Sequence, residues 1–411
     1  MSWRDENSNM RSLASCILRW NVPLFWLVCF IALIKIAAAA AVFDDAYITF
    51  RVVDNFTHGY GLRWNIDERV QLYTHPLWVL LHIPLHLLID NFYIASILLS
   101  AVCGGIGIWL LATMADTSRW HKAVLVIVPL FLSKTFNAYI NCGLENPLSF
   151  FLLVWFAREW LRPHYRCHRL CAIAALCVLT RFDNGLLVLP ALLYGLWERR
   201  KEVRPLSLLA AVSPLLIWCA FSLFYYGFVL PNTKYAKTDT GIPASSIILQ
   251  GLKYTYNFFY YDTLSFLLIA GGIASSLVAY RRQVSLSTVD GRMALLGAGM
   301  ALGFVYVVAV GGDYMCGRFF TGMLALALVL LFQAFHRCEA RALWVILALM
   351  LGAQVINDKI ITPLTPNIMD FRVDFGINDH HAVYYPVNGL LSERGQWFRT
   401  DFSYDPRDLP R

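Results

Sequence analysis

Long apolar runs separated by short polar stretches dominate the chain. They cover roughly residues 20–42, 73–89, 92–115, 122–140, 147–161, 170–183, 185–197, 205–226, 263–280, 293–310, 317–335 and 342–358. A helix of about 20 apolar residues spans the hydrocarbon core of a bilayer and satisfies its own backbone hydrogen bonds there. The pattern therefore predicts an all-α polytopic membrane protein.

Basic residues between the runs predict how the helices are oriented. They cluster in the ranges 119–122, 158–169, 199–204, 281–292 and 337–341, and the positive-inside rule places such clusters in the cytoplasm. If the N-terminus is cytoplasmic, all five clusters lie in the cytoplasm only if one of the two runs 73–89 and 92–115 does not cross the membrane. The run 73–89 is the weaker span, because it is short and contains Pro76, Pro84 and several histidines. We therefore expect about eleven transmembrane helices, with the run 73–89 at the outer membrane surface.

This topology brings most of the unusual polar residues to one side of the membrane. Residues 1–358 form the predicted transmembrane module, and residues 359–411 form a short outer tail that packs on the outer loops. Amphipathic helices are expected in the first outer loop. The outer loops are 43–91, 137–146, 181–184, 227–262 and 311–317. We interpret this clustering as one outward-facing site built from several loops.

Composition limits the chemistry of that site. The chain is 58% hydrophobic and 15% charged, and its net charge of +7 lies in short clusters rather than in a nucleic-acid-binding patch. The cysteines are scattered without metal-ligand spacing, and only Cys142 and Cys316 flank polar motifs where pairing is an open question. Walker, dinucleotide-binding, hydrolase-elbow and zinc-protease motifs are missing from the sequence. The pattern favours acids and cations acting on a lipidic or activated substrate, without a required metal.

The aspartates Asp44 and Asp45 follow the first apolar run directly. One aspartate there could simply cap the amphipathic helix predicted to follow. Two adjacent carboxylates exceed what capping needs, and close like charges resist joint ionisation, which suits acid–base or cation-binding roles. We take the pair as candidate catalytic residues.

Three other motifs place polar side chains at the outer ends of apolar runs. Tyr73 and His75 lie in a loop that could be purely structural or could face a donor or acceptor. Glu145 precedes an apolar run, where dipole effects alone favour a carboxylate. Arg181 and Asp183 share a short turn and could pair with each other, unless Arg181 faces an anion.

Cationic residues on the outer side indicate an anion-binding function more specifically. Lys234 and Lys237, shortly after Asn232, lie on one helical face against the positive-inside bias. They could snorkel to the membrane surface, but a phosphate is the obvious functional partner. Asp313 and Arg318 lie in a glycine-rich stretch, where they form either a structural ion pair or contacts to a closely approaching ligand.

Six motifs, taken in order, resemble those of the GT-C membrane glycosyltransferases. They are DDAY at 44–47, GYGLRW at 59–64, YTHPLW at 73–78, GLENP at 143–147, PNTKYAK at 231–237 and GGDYMCGRF at 311–319. The closer resemblance is to the arabinofuranosyltransferases that use polyprenyl-phosphate arabinose, and within them to the type IV pilin arabinofuranosyltransferases of Pseudomonas. It extends from about residue 43 to about residue 320.

The resemblance implies a GT-C fold and a specific reaction. D-arabinofuranose would pass from a polyprenyl-phosphate donor to an acceptor hydroxyl, a Ser or Thr of type IV pilin, at the periplasmic face of the bacterial inner membrane. It makes Asp44 the general base, with Asp45 orienting it or the sugar. Further roles follow from the same resemblance: Lys234, Lys237, Arg318 and Arg181 would bind the donor phosphate, and Glu145, Asn232, Asp313, Tyr73, His75 and Asp183 would hold the donor sugar. Beyond the lipid-linked donor, no cofactor is expected.

Two departures from the family pattern bear on this reading. The turn at 181–185 reads RFDNG where the family often has Arg-Pro-Asp-Gly, which weakens the transfer of its role. About 50 residues follow the last apolar run, where mycobacterial relatives carry a large sugar-binding domain, and this favours a protein acceptor.

Two other functions stay open on the sequence alone. One is a GT-C transferase that moves another lipid-linked sugar, such as mannose, or acts on a cell-envelope glycan. The other is a membrane transporter, which would bind its substrate near the bilayer midplane between structural repeats. The chain shows no internal repeat, and its polar motifs cluster at one membrane boundary.

Overall fold

The computed structural model describes residues 30–31, 33–114, 128–233, 235, 241–282, 285–335, 345, 348–349, 352 and 376–392. Within these ranges the chain forms helices and no strand, apart from an isolated β-bridge between Met315 and Asn378. We number the helices in chain order: α1 (Asp44–Thr57), α2 (Pro76–Leu88), α3 (Phe92–Ala112), α4 (Lys134–Tyr139), α5 (Asn146–Trp160), α6 (Cys167–Thr180), α7 (Asn184–Glu198), α8 (Pro205–Tyr226), α9 (Ala244–Tyr261), α10 (Thr263–Arg282), α11 (Val289–Ala309), α12 (Thr321–Phe335) and α13 (His380–Asn388). A 3₁₀ turn, Arg318–Phe320, leads into α12.

Several of these helices are long and apolar enough to cross a membrane. Within the described residues they are α3, α8, α10, α11 and α12 with its 3₁₀ turn. The chain is therefore a multi-pass membrane protein. The total of about eleven spans stays a prediction, because the runs 20–42, 122–140 and 342–358 extend beyond the described ranges.

Helix α2 occupies the apolar run that the sequence assigned to the membrane surface. It has 13 residues, which gives a length of about 20 Å, against a hydrocarbon core of about 30 Å. Leu87 and Leu88 at its end are 69% and 82% exposed. Helix α6, in a run predicted to cross, has 14 residues, so the surface position of α2 stays a prediction.

Helix α12 forms the centre of the bundle. Its residues from Gly322 to Phe332 are all buried, and it packs against α5 and α10. A Cβ added at Gly272 of α10 would lie 2.7 Å from the Cα of Ala327, so this glycine permits the close approach of the two helices. Close packing of this kind holds the start of α12, and with it Arg318, in a fixed position.

Several helices begin at the same end of the bundle. N-termini of helices carry partial positive charge and favour carboxylates and anions. The polar residues at these starts are Asp44 and Asp45 in α1, His75 before α2, Glu145 before α5, Asp183 before α7 and Arg318 in the 3₁₀ turn.

The segment 376–392, which contains α13, packs against this end of the bundle. The side-chain amide of Asn388 donates to the carbonyl of Val42 at 2.7 Å, just before α1. The backbone N–H of Cys316 donates to the carbonyl of Asn378 at 3.0 Å. Helix α13 therefore lies beside both the start of α1 and the loop 311–317.

Candidate active site

A chain of ion pairs joins the helix starts. The Arg318 guanidinium lies 2.7 Å from Oδ2 of Asp45 and 3.4 Å from Oε1 of Glu145. Nη1 of Arg181 lies 2.7 Å from the same Glu145 oxygen. Oδ2 of Asp313 lies 3.7 Å from Nη1 of Arg318. The structure thus brings together five residues predicted from four separate motifs. We refer to Asp45, Glu145, Arg181, Asp313 and Arg318 as the ion-pair cluster.

Arg181 makes two further contacts. Its Nε and Nη2 donate to the two carboxylate oxygens of Asp183, each at 2.9 Å. Its guanidinium also lies 5.0 Å from the centre of the Phe319 ring. The local pair with Asp183 that the sequence left open is therefore present. Because Arg181 also contacts Glu145, the short turn is tied to the ion-pair cluster.

Glu145 is the buried centre of the ion-pair cluster, with no exposed surface. Burial by itself would raise the pKa of its carboxyl. The positive charges of Arg318 and Arg181 outweigh burial and hold the pKa of the carboxyl well below its ordinary value. An inaccessible carboxylate cannot reach a sugar hydroxyl, the role implied by the family resemblance. The geometry favours a different use, which is to hold the two guanidiniums in place.

His75 supports Glu145 from the start of α2. Its Nδ1 lies 3.2 Å from Oε2 of Glu145, and its Nε2 lies 2.7 Å from the hydroxyl of Thr49. Burial lowers the pKa of His75 below 6.5, so the ring is neutral at pH 7. If the Thr49 hydroxyl donates to Nε2, the single ring proton sits on Nδ1 and faces Glu145. His75 is buried, and we place it with the support of the ion-pair cluster rather than with the sugar.

The lowered pKa of Glu145 predicts how stability depends on pH. A carboxyl whose pKa is depressed by folding stabilises the fold fully above its ordinary pKa, here 4.5, and loses that effect as the pH falls through the folded value. We expect the difference in thermal stability between the wild type and Glu145→Gln to stay constant from pH 7 to about pH 5.5. It should shrink only below pH 4.5. Thermal melts in detergent across this range measure it, and a gap that closes near pH 6 would contradict the assignment.

Asp44 differs from its neighbour in being accessible. Its side chain is 49% exposed. Phe43, not Asp44, occupies the N-cap position of α1, so capping does not explain Asp44. Asp45, by contrast, accepts from Arg318 and from the hydroxyl of Tyr314 at 2.8 Å. Of the two aspartates, Asp44 is the more accessible, with 49% of its side chain exposed against 24% for Asp45.

Two predicted binding residues lie outside the ion-pair cluster. Tyr73 is 1% exposed, and its hydroxyl lies 2.8 Å from that of Tyr226. Asn232 pairs with the backbone of Gln71, accepting from its N–H at 3.1 Å and donating its own N–H to the carbonyl at 3.1 Å. These contacts tie the loops together. The predicted phosphate ligands Lys234 and Lys237 fall outside the described residues.

Residues that sequence reasoning did not select also border Asp44. Nε2 of His380 lies 3.8 Å from Oδ1 of Asp44. Burial, and then the charge of Asp44, raises the pKa of the Tyr384 hydroxyl. Both belong to α13, more than 300 residues away along the chain. The aromatic composition of the tail was the available signal, and it indicated packing without naming a partner.

Cys142 and Cys316 are both free thiols in the structure. Both are buried, and burial raises the pKa of Cys142 to about 12. A buried thiol that stays protonated reacts slowly with electrophiles. We expect neither to react with a maleimide in the native protein, and both to react after denaturation without reductant. Peptide mass spectrometry checks this, and a cysteine pair that needs reductant before labelling would contradict the structure.

No protein-family model matches the chain. In sequence, the chain is 27% identical over 322 residues to the terminal β-(1→2)-arabinofuranosyltransferase of Corynebacterium glutamicum. That alignment covers 67% of this chain and 45% of the relative, so the chain spans less than half the length of that protein.

In structure, the chain is similar to ArnT from Cupriavidus metallidurans, which was crystallised bound to undecaprenyl phosphate. The TM-score is 0.53 with 15% sequence identity, and the superposition covers 83% of this chain and 63% of ArnT. At this identity the likeness concerns the fold alone. The chain therefore has the all-helical membrane fold of the GT-C glycosyltransferases, as its motifs predicted.

Proposed function

We propose that the chain is a membrane glycosyltransferase that transfers D-arabinofuranose from a polyprenyl-phosphate donor to an acceptor hydroxyl. The observation that carries the proposal is the exposed carboxylate of Asp44 beside the Arg318-centred ion-pair cluster, at one end of a multi-pass bundle. The name of the Corynebacterium relative supports the sugar, and the lipid bound to ArnT supports a polyprenyl-phosphate carrier.

In the proposed reaction Asp44 acts as the general base. It removes the proton from the acceptor hydroxyl while the acceptor oxygen forms a bond to C1 of the arabinose. The bond between C1 and the phosphate oxygen breaks, and its electron pair leaves on the phosphate. A positioned base typically contributes about 10²–10⁴-fold to such a step. The leaving phosphate is a weak base, so it requires positive charge more than a proton.

The paired residues supply and orient that positive charge. Arg318 and Arg181 are the described guanidiniums at the site, and both are anchored by the buried Glu145. Asp45 holds Arg318 from the side of α1. Preorganised charges of this kind stabilise the developing phosphate without reorganising during the reaction. Asp183, whose side chain is 21% exposed, stays our candidate for a contact to a sugar hydroxyl, whereas Asp313 is 3% exposed beside Arg318 and is assigned instead to holding that guanidinium.

The excess of carboxylates at the site indicates a role for Lys234 and Lys237. Within the described residues, the site holds the carboxylates of Asp44, Asp45, Glu145, Asp183 and Asp313 against the guanidiniums of Arg181 and Arg318. Both guanidiniums are already paired, and an anionic donor adds further negative charge. The starts of several helices offset part of this excess. We propose that Lys234 and Lys237 supply the remainder when the donor binds.

For the acceptor we propose a Ser or Thr hydroxyl of type IV pilin, following the motif resemblance. We place the protein in the bacterial inner membrane with this site on the periplasmic side, following the positive-inside rule. A cell-envelope glycan is the alternative acceptor, and the name of the Corynebacterium relative favours testing it alongside.

Measuring which acceptor gains a sugar tests this proposal. Purified protein would be incubated with synthetic polyprenyl-phosphate arabinofuranose and either pilin or an arabinan oligosaccharide, and each acceptor would be analysed by intact mass spectrometry. We expect a pentose added to pilin. Addition only to the oligosaccharide would keep the donor and replace the acceptor, and addition of another sugar from a matched lipid donor would replace the sugar.

A further inference from the structure

Helix α13 places a histidine against the accessible aspartate. The His380 residue is 6% exposed, and its Nε2 lies 3.8 Å from Oδ1 of Asp44. Its Nδ1 lies 3.4 Å from the carbonyl oxygen of Asn378. The ring is held between aromatic neighbours, with its centre 5.8 Å from that of Phe43 and 5.2 Å from that of Tyr314. Packing therefore fixes which ring nitrogen faces Asp44.

The position of the ring protons follows from these neighbours. A carbonyl oxygen can only accept, so the carbonyl of Asn378 favours a proton on Nδ1 of His380. In the neutral ring this leaves a lone pair on Nε2, and an ionised Asp44 likewise offers only lone pairs. The two groups therefore repel weakly until a proton arrives. One added proton turns this contact into a hydrogen bond, whichever partner carries it.

We propose that His380 is a positioning residue that acts through Asp44 and receives the proton that Asp44 removes from the acceptor. This inference rests on the proposed transferase function and deepens it. The proton passes from the acceptor oxygen to Asp44 and then to Nε2 of His380, which becomes an imidazolium and releases a proton to solvent after transfer. Asp44 is thereby returned to its basic form for the next cycle. The segment 376–392 is then part of the active site.

The other ionisable groups around His380 do not compete for this proton. Burial raises the pKa of both the Tyr314 and the Tyr384 hydroxyls, so these remain protonated. Asp379 faces away, accepting from the backbone N–H of Ala382 at 3.1 Å and from the Tyr261 hydroxyl at 3.3 Å. Beyond Asp44, Asp45 is held by Arg318 and Tyr314. Asp44 is the partner with which His380 can exchange a proton.

The test compares pH profiles of kcat and kcat/KM for the full-length protein in detergent. His380→Phe keeps a ring without nitrogen, and His380→Gln offers an amide N–H that stabilises ionised Asp44. We expect both to lower kcat by about 10-fold or more, with the donor KM nearly unchanged. In His380→Gln, the acidic limb of kcat/KM should also move to lower pH. His381→Gln is the matched control, because His381 lies on the same helix and contacts the carbonyl of Ala39 at 3.2 Å.

Each outcome decides the question. Unchanged kcat and an unmoved acidic limb in both His380 variants, with Asp44→Asn still inactive, would overturn the inference and leave the proposed function standing. An equal loss in His381→Gln would show that α13 acts only through packing, and would also overturn it. Absence of any turnover by folded wild-type protein would overturn the proposed function, and this inference with it.

Discussion

Asp44→Asn is expected to lower the transfer rate by about 10²–10⁴-fold while leaving the thermal melting temperature unchanged. The amide has the shape of the carboxylate but cannot remove a proton. Asp44 is half-exposed and does not occupy the N-cap position, so we expect the fold to tolerate the loss of its charge. Turnover of purified protein and a thermal melt in the same detergent measure the two effects together.

Two further variants in α1 help to interpret the result for Asp44→Asn. Asp54→Asn changes an aspartate near the other end of α1, where its partner is His58, and should leave turnover intact. Asp45→Asn should lower both turnover and thermal stability, because Arg318 loses a charged partner at 2.7 Å. An active Asp44→Asn protein would exclude Asp44 as the general base, even if Asp45→Asn is inactive.

Glu145→Gln is expected to have the second large effect, and on stability as well as on turnover. The carboxylate is fully buried and contacts both Arg181 and Arg318. Removing one partner of a buried ion pair costs about 3–5 kcal/mol when the other charge is left uncompensated. Here Arg181 keeps Asp183 and Arg318 keeps Asp45, so we expect the free energy of unfolding to fall by about 1–3 kcal/mol, the cost of leaving buried donors unsatisfied. Turnover should fall too, because the guanidiniums that we propose bind the donor phosphate would no longer be held by Glu145.

Glu159→Gln provides a matched control in α5. Glu159 is 2% exposed, like Glu145, but its partners Arg162 and Arg169 are 47% and 43% exposed. Once unpaired, these arginines can turn to water, so we expect a loss of about 1 kcal/mol or less and unchanged turnover. Equal losses in the two variants would mean that burial of a glutamate matters more than its role between two buried guanidiniums.

The sequence was enough to predict the fold class and to include the five residues of the ion-pair cluster among the candidates for one site. Long apolar runs have few alternatives to membrane helices, and Asp45, Glu145, Arg181, Asp313 and Arg318 each stood out as a charge at the end of such a run. Which of these residues pair with each other could not be predicted from the sequence. Whether Glu145 faced a sugar or two arginines depends on how four helix starts converge, which no local pattern encodes.

Contacts distant in sequence account for what the sequence missed. His380 reaches Asp44 only because Asn388, Asn378 and their neighbours anchor the segment 376–392 to residues just before α1 and to the loop 311–317. Tyr73 was a candidate sugar ligand because the family resemblance implied that role for its loop. In the folded chain, the Tyr73 hydroxyl forms a hydrogen bond with the hydroxyl of Tyr226 in α8, and the Tyr73 ring is buried.

Release of free polyprenyl phosphate from the donor reports the proposed transfer itself. Purified wild-type protein and Asp44→Asn would be incubated with synthetic polyprenyl-phosphate arabinofuranose and an acceptor, and the free polyprenyl phosphate would be quantified by mass spectrometry. We predict acceptor-dependent release of polyprenyl phosphate by the wild type and almost none by the variant. Folded wild-type protein that leaves this donor intact with every acceptor offered would contradict the account.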